Sequence, residues 1–358
     1  MTETFLSVVM PVRNALPYLD AAVESILAQT HSNFEFVIRD DDSTDGSRER
    51  LRYWAGRDAR IRLFEGEACL GPAGSSNWVV TQARADIVAR MDADDVSHPR
   101  RLERELGVLL QRPDATLLGS VWEGIDRQGR VVREPDFSTV RSSGFAAPFA
   151  HGSIMFRRAA FEAVGGYRQE CDFWEDLDLY IRMAGLGRVL VVAEPLYQHR
   201  FSETSTRLTS RRPRVEASVD LMFRCRAAHN RGEDYTPLLH AHRALPHDDR
   251  ARLNPNTFLS LDFITLWSGL RPHTLNRILR HGRIGFDAVT IKALIWSAWA
   301  TASPGTLRQV MRVMLRSRSA KARAALAGQS VFEWSVRGAP MSGAPDPAAV
   351  AIVTGRPA

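Results

Sequence analysis

The chain has 358 residues, 44% hydrophobic and 25% charged, with a net charge of +6. This excludes a disordered chain and leaves room for more than one domain. Its three cysteines, Cys69, Cys171 and Cys225, are odd in number and widely spaced, which argues against a disulfide framework or a cysteine zinc site and points to a reducing, cytoplasmic setting.

The opening "MTETFLSVVMPV" has neither a basic leader nor a long apolar run, so no signal peptide is expected. From there the elements alternate. "FLSVVMPV" (5–12) reads as a strand and "LPYLDAAVESILAQ" (16–29) as a helix with apolar spacing near 3.6. "FEFVIR" (34–39) is a strand, "DGSRERLRYWAG" (45–56) a helix and "IRLFE" (61–65) a strand. "GPAGSSNWVVTQAR" (71–84) is a helix and "DIVARM" (86–91) a strand. A charged helix (100–111), a strand (115–122), a strand–helix unit (149–167), a helix (174–187) and extended segments (188–200) follow. Such alternation predicts an α/β domain with a mostly parallel central sheet and helices on both faces.

Beyond about residue 206 the pattern turns helical and Arg-rich. The expected organisation is therefore a domain over 1–205, a basic helical region over 206–337 and a disordered Gly/Ala/Pro-rich tail over 338–358. From Phe263 onward 13 Lys/Arg face three acids, a balance of +10 that leaves the first 262 residues at about −4. The segment 304–326 spaces Arg308, Arg312 and Arg316 at i, i+4 beside an apolar stripe, which suits either an anionic membrane surface or a solvated face. No stretch is long and apolar enough to span a membrane; 288–302 comes nearest and carries Lys292.

Three acidic clusters stand out. "RDDDSTDGS" (39–47) follows the second strand and "MDADD" (91–95) the fourth. In parallel sheets both would lie at the carboxyl edge, where ligands bind. Each also has a bland reading as helix-capping acid, and Asp95 suits a supporting role in the turn into the helix at 99–111. An Asp-x-Asp at a strand end places two carboxylates near one point, a donor set for Mg²⁺ or Mn²⁺. The third cluster, "FWEDLDLYIR", opens a helix with Glu175, Asp176 and Asp178.

Together with "LSVVMPVRN", "GPAGSSNWVV" and "AHGSIMFRRAAFEAVGGYR", these clusters resemble the family 2 inverting glycosyltransferases of GT-A (Rossmann-like) fold, over roughly residues 5–205. The resemblance implies that Pro11, Asn14, Asp40 and Asp41 hold a nucleotide, with Asp41 the base contact. It implies that Asp92 and Asp94 bind Mn²⁺ or Mg²⁺ at the diphosphate, Asp92 counting toward the donor site as well. It further implies that Asp176 is the catalytic base, with Trp174 and Glu175 bordering the acceptor, and that His199 or Arg200 joins the phosphates or the metal. Two family positions differ here: a Gly after the Asp pair is Asp42, and an Asn before the third helix is Cys69, while Gly71 and Asn77 are kept.

The expected partners are a nucleotide-sugar donor, a glycan or lipid-linked acceptor and an anionic membrane surface, with no nucleic acid. A sugar-nucleotide nucleotidyltransferase would need a Gly-rich basic loop after the first strand, which "PVRNALPYLD" does not supply. A membrane-binding module without turnover would have no use for intact Asp92, Asp94 and Asp176.

Overall fold

The computed structural model describes residues 4–135, 137, 147, 149–171, 173–201, 212–244 and 329–334. The strands β1 (Leu6–Val12), β2 (Phe34–Asp40), β3 (Ile61–Glu65) and β4 (Ile87–Arg90) run parallel in the order β3-β2-β1-β4. They alternate with α1 (Leu19–Leu27), α2 (Ser47–Ala55) and α3 (Gly71–Thr81), as a buried parallel sheet requires.

Past β4 the sheet becomes mixed. β5 (Val96–Ser97) and α4 (Arg101–Gln111) lead into β6 (Ala115–Ile125) and its hairpin partner β7 (Val131–Arg133). β8 (Met155–Arg157) inserts antiparallel between β4 and β6. After α5 (Arg158–Ala163) and α6 (Glu175–Ala184), β9 (Arg188–Arg200) lies parallel to β6 and also pairs with β5. The parallel arrangement expected of the sheet thus holds for its first half and for the long β6–β9 pairing, with antiparallel strands added around them. The antiparallel insertion of β8 is a long-range pairing of three residues, too short to announce its direction locally.

Two cores flank the sheet. Val8, Met10, Phe36 and Ile38 pack with α1, α2 and α4; Val9, Val37 and Val88 face α3, α5 and α6. This is the period of two in strands placing helices on both faces. Each fully buried aliphatic side chain contributes about 1.5–3 kcal/mol.

The helices α7 (Arg212–Asn230) and α8 (Thr236–Ala244) add Leu221, Cys225 and Leu239 to the second core. The helical expectation for 206–337 fails at Val331–Trp334, which forms β10, antiparallel to β9. A four-residue edge segment takes its conformation from the strand it joins, not from its own pattern. The segments 288–302 and 304–326 and the tail 338–358 lie outside the described residues. Among the described residues no helix is long and apolar enough to cross a membrane.

Candidate active site

Because β1, β2 and β4 are parallel, the loops after them share one edge of the sheet. Strand order reverses about β1, so the crevice between the ends of β1 and β4 is the topological switch point of this half.

The β1 and β2 loops are tied to each other. Asn14 donates its backbone N–H to Ser43 Oγ at 3.0 Å, and its Oδ1 accepts the Thr44 N–H at 2.8 Å. Asp45 accepts the N–H groups of Leu16 and Ser47 at 3.0 and 2.9 Å. Pro11 sits inside β1 opposite Arg39, not in the turn after it. Asp40 is fully buried and accepts from Arg48 Nε at 2.7 Å and the Ser43 N–H at 3.3 Å, so it braces the loop from beneath. Asp41 accepts the N–H groups of Leu70 and Gly71 at 2.9 and 3.1 Å and the Cys69 thiol at 3.4 Å. It thereby fastens the start of α3 to the end of β2. Asp42 has φ +63°, the left-handed conformation that glycine adopts freely, so the turn is kept although the residue differs.

The β4 end is built differently. Arg90, buried in the strand, donates Nη1 to Asp92 Oδ1 at 2.6 Å. Burial pushes the Asp92 carboxyl up, but Arg90, His151 and His199 outweigh it and hold the group below the usual carboxylate value. The backbone N–H of Asp92 donates to Tyr197 Oη at 3.3 Å. Gly152 lies against the same point: a Cβ there would stand 1.8 Å from Tyr197 Oη and 2.7 Å from Asp92 Oδ2. The Asp94 carboxylate has no ion pair or hydrogen bond to another residue among the described residues. Burial and the charges of Asp95 and Asp92 push its carboxyl up to about 7, against the pull of His199.

Asp95 is not a helix cap. It is fully buried and accepts from His199 Nδ1 at 3.1 Å and the Arg200 N–H at 2.7 Å, while α4 begins without a side-chain cap. The two-residue pairing of β5 with β9 brings these groups together. Burial lowers the His199 pKa, but Asp95, Asp94 and Asp92 together raise it to about 9. Arg200 donates Nε to the Asp94 carbonyl and Nη1 to the Asp126 carbonyl, both at 2.7 Å. It clamps the acidic loop through its backbone, whereas His199 keeps Nε2 clear of the Asp95 contact.

Asp176 stands in the first turn of α6, its Oδ1 accepting the Leu177 N–H at 2.7 Å. Its charge is felt by Tyr167 and Tyr180, as is that of Asp92; burial, first, and these carboxylates raise both phenols. Asp176 and Asp92 are thus both felt around these two rings, and the space beside them is the candidate acceptor side. Trp174 does not border it: at 3% exposure its ring packs in the core near Tyr235, because the chain turns inward before α6.

Carboxylate oxygens suit a hard divalent cation. Among the described residues no three His, Cys, Asp or Glu side chains are arranged to hold a metal ion by themselves. Arg90, His151, Tyr167 and Tyr197 were not singled out from sequence. The one local signal was Arg90, a charge in an otherwise apolar strand two residues before an Asp.

The family model described as glycosyl transferase family 2 matches residues 7–165. The putative glycosyltransferase EpsE of Bacillus subtilis is 34% identical over 203 residues, 54% of this chain and 72% of that protein. The chain belongs to glycosyl transferase family 2. It is also similar to the O-antigen biosynthesis glycosyltransferase WbnJ of Escherichia coli, at 31% identity over 50% of this chain and 71% of that protein.

Two solved structures of glycosyltransferases share the GT-A fold of this family-2 chain. The Pyrobaculum calidifontis mannosyltransferase PcManGT, solved with GDP-Man and Mn²⁺, aligns with TM-score 0.51 at 18% identity, covering 89% of this chain and 86% of that one. S. aureus TarS 1–349, solved with UDP-GlcNAc, aligns with TM-score 0.51 at 16% identity, covering 85% of this chain and 91% of that one.

Proposed function

We propose that this family 2 glycosyltransferase moves a sugar from a nucleoside-diphosphate sugar to an acceptor hydroxyl with inversion, in the assembly of a cell-surface polysaccharide. The observation that carries this reading is that the β4 end, with Asp92 held by Arg90 against Gly152 and Tyr197, shares one sheet edge with the loops fastened by Asn14, Asp40 and Asp41. The polysaccharide role is supported by the names of the relatives EpsE and WbnJ, and the donor class by the sugar nucleotides bound in PcManGT and TarS.

The loops fastened by Asn14, Asp40 and Asp41 take the nucleotide, with Pro11 setting the end of β1 beneath it. Asp92 and Asp94, with His199 Nε2, are the groups that would hold Mn²⁺ or Mg²⁺ beside the diphosphate. Two carboxylates plus substrate oxygens are a usual set for Mg²⁺. When bound, such an ion offsets the negative charge of the departing diphosphate.

Asp176 takes the proton of the acceptor hydroxyl as that oxygen attacks the anomeric carbon from the face opposite the leaving group. The helix N-terminus favours its ionised form. A single in-line displacement needs no covalent intermediate, and the crevice contributes by holding both reactants in line. The acceptor, a glycan or lipid-linked glycan, approaches from the Asp176 side. A membrane contact through the basic C-terminal region would bring an anchored acceptor within reach.

Asp176→Asn tests the assignment. Transfer should fall about 10²- to 10⁴-fold, the usual contribution of a general base, while calorimetric nucleotide affinity stays nearly unchanged. A matching loss of nucleotide binding would remove Asp176 from this role.

A further inference from the structure

One side chain in the crevice is held in place by a long chain of contacts and has no part in the scheme above. His151 belongs to a short 3-10 turn, His151–Ser153, between β7 and β8. Its Nε2 shares a 2.8 Å hydrogen bond with Tyr167 Oη, and the two rings meet edge-on at 5.3 Å. Its Nδ1 makes no hydrogen bond among the described residues, and the residue is only partly buried.

Tyr167 is positioned by α3. Asn77 donates Nδ2 to the Tyr167 carbonyl at 2.9 Å and accepts the Tyr167 N–H at 2.8 Å. The turn that allows this passes through Gly166 at φ +67°, where a Cβ would lie 2.5 Å from Asn77 Oδ1. Two backbone bonds, a left-handed glycine and a phenol thus fix one imidazole.

The position of that imidazole follows from its neighbours. Gly152, the next residue, abuts Asp92 Oδ2. Tyr167, the hydrogen-bond partner, lies within the field of both Asp176 and Asp92. His151 therefore borders the Asp92 end of the crevice through Gly152, and its partner Tyr167 is also reached by the charge of Asp176. In an in-line displacement the group that lies between the diphosphate and acceptor ends is the transferred sugar.

We propose that His151 is a donor-sugar contact: Tyr167 O–H donates to Nε2, which places the ring proton on Nδ1, and Nδ1–H donates to a hydroxyl oxygen of the sugar. Tyr167 and Asn77 are positioning residues that act through the imidazole. The proposal rests on the sugar-nucleotide reading of the crevice and adds the residue that senses the sugar as distinct from the nucleotide.

The test compares sugar nucleotides with bare nucleotides. UDP-glucose, UDP-GlcNAc and GDP-mannose are titrated by calorimetry with Mn²⁺ against the wild-type protein, alongside UDP and GDP. The tightest sugar nucleotide is then carried into the variants. His151→Ala should weaken it about 5- to 20-fold, the scale of one lost buried hydrogen bond, and leave the matching diphosphate within about twofold.

His151→Asn, whose amide nitrogen falls near the Nδ1 position, should recover most of the loss; His151→Gln, which mimics Nε2, should not. Tyr167→Phe should give a smaller loss, about threefold, in the same direction. Equal weakening of diphosphate and sugar nucleotide overturns the assignment, because the residue would then act on the nucleotide or on folding. Recovery by Gln and not by Asn also overturns it, since the ring would then serve only to hold Tyr167. If the wild-type protein binds no sugar nucleotide more tightly than the bare diphosphate, the proposed function fails first and this assignment with it.

Discussion

Two carboxylates, one at each edge of the parallel half-sheet, are treated in opposite ways. At the amino edge, Glu35 in β2 accepts from Ser7 Oγ at 2.6 Å, the Arg84 N–H at 2.6 Å and Arg62 Nη1 at 2.5 Å. Burial alone would push its carboxyl up, but these donors more than offset that and lower it. At the carboxyl edge, the Asp94 carboxylate receives no donor from another residue among the described residues and is raised to about 7. Donors around Glu35 keep it charged, whereas the like charges around Asp94 favour its protonated form. Acidic residues alone do not separate these cases, but their partners do.

Three substitutions would break or sharpen this contrast. The largest effect is expected from Glu35→Ala, which leaves Ser7, Arg62 and the Arg84 N–H without their acceptor. Denaturant unfolding should show a loss of about 2–4 kcal/mol, with activity per folded molecule preserved. A loss of activity without a loss of stability would place Glu35 in the wrong class. Because its folded-state pKa is lowered, the stability it contributes is present at neutral pH and fades as pH falls through that value.

Asp94→Asn should act in the reverse sense, raising stability by about 1 kcal/mol while abolishing the proposed metal-dependent transfer. Its pH signature has a definite sign. Between the ordinary value of 3.8 and about 7 the folded protein retains a proton that the unfolded chain releases. Stability of the metal-free wild type therefore falls as pH rises through that window, and the Asn variant should show a smaller fall, the remainder being that of Glu105, which burial also raises to about 7. Melting temperatures at pH 4.5 and 7.5 for both proteins decide it; parallel curves would remove Asp94 from the role.

The smallest effect belongs to Asp42→Gly, which relieves the left-handed backbone at φ +63°. A gain of about 0.5–1 kcal/mol is expected, read by denaturant midpoint. A loss would mean that the Asp42 carboxylate, 3.8 Å from Arg48, matters more than the turn it strains.

Much of the first half was readable in the chain. β1 to β4 and α1 to α3 are local patterns of period 2 and 3.6, and the structure trims them by a few residues at their ends. The acidic loops could be assigned to one edge because parallel strands leave no other choice. The second half resisted because its decisive pairings are short and distant. β5 is two residues long, yet it delivers His199 and Arg200 to Asp95, 104 and 105 positions away. Nothing near Asp95 could reveal that it is a partner of β9 and not a helix cap. Trp174 failed for a similar reason: an aromatic before an acidic helix start reads as a rim, and only packing against Tyr235 puts it inside.

By itself the sequence determined the alternation of strand and helix, the family, and the two loops that carry Asp41 and Asp92–Asp94, because these depend on local periodicity and on residue types at fixed spacing. Tertiary structure alone decided which acids are satisfied and which are exposed to one another. It also decided that Arg200 clamps the Asp94 backbone while His199 binds Asp95, and that His151 is held by Tyr167. Those outcomes depend on hydrogen bonds between residues far apart in the chain, and a partner's identity is not written beside the residue that needs it.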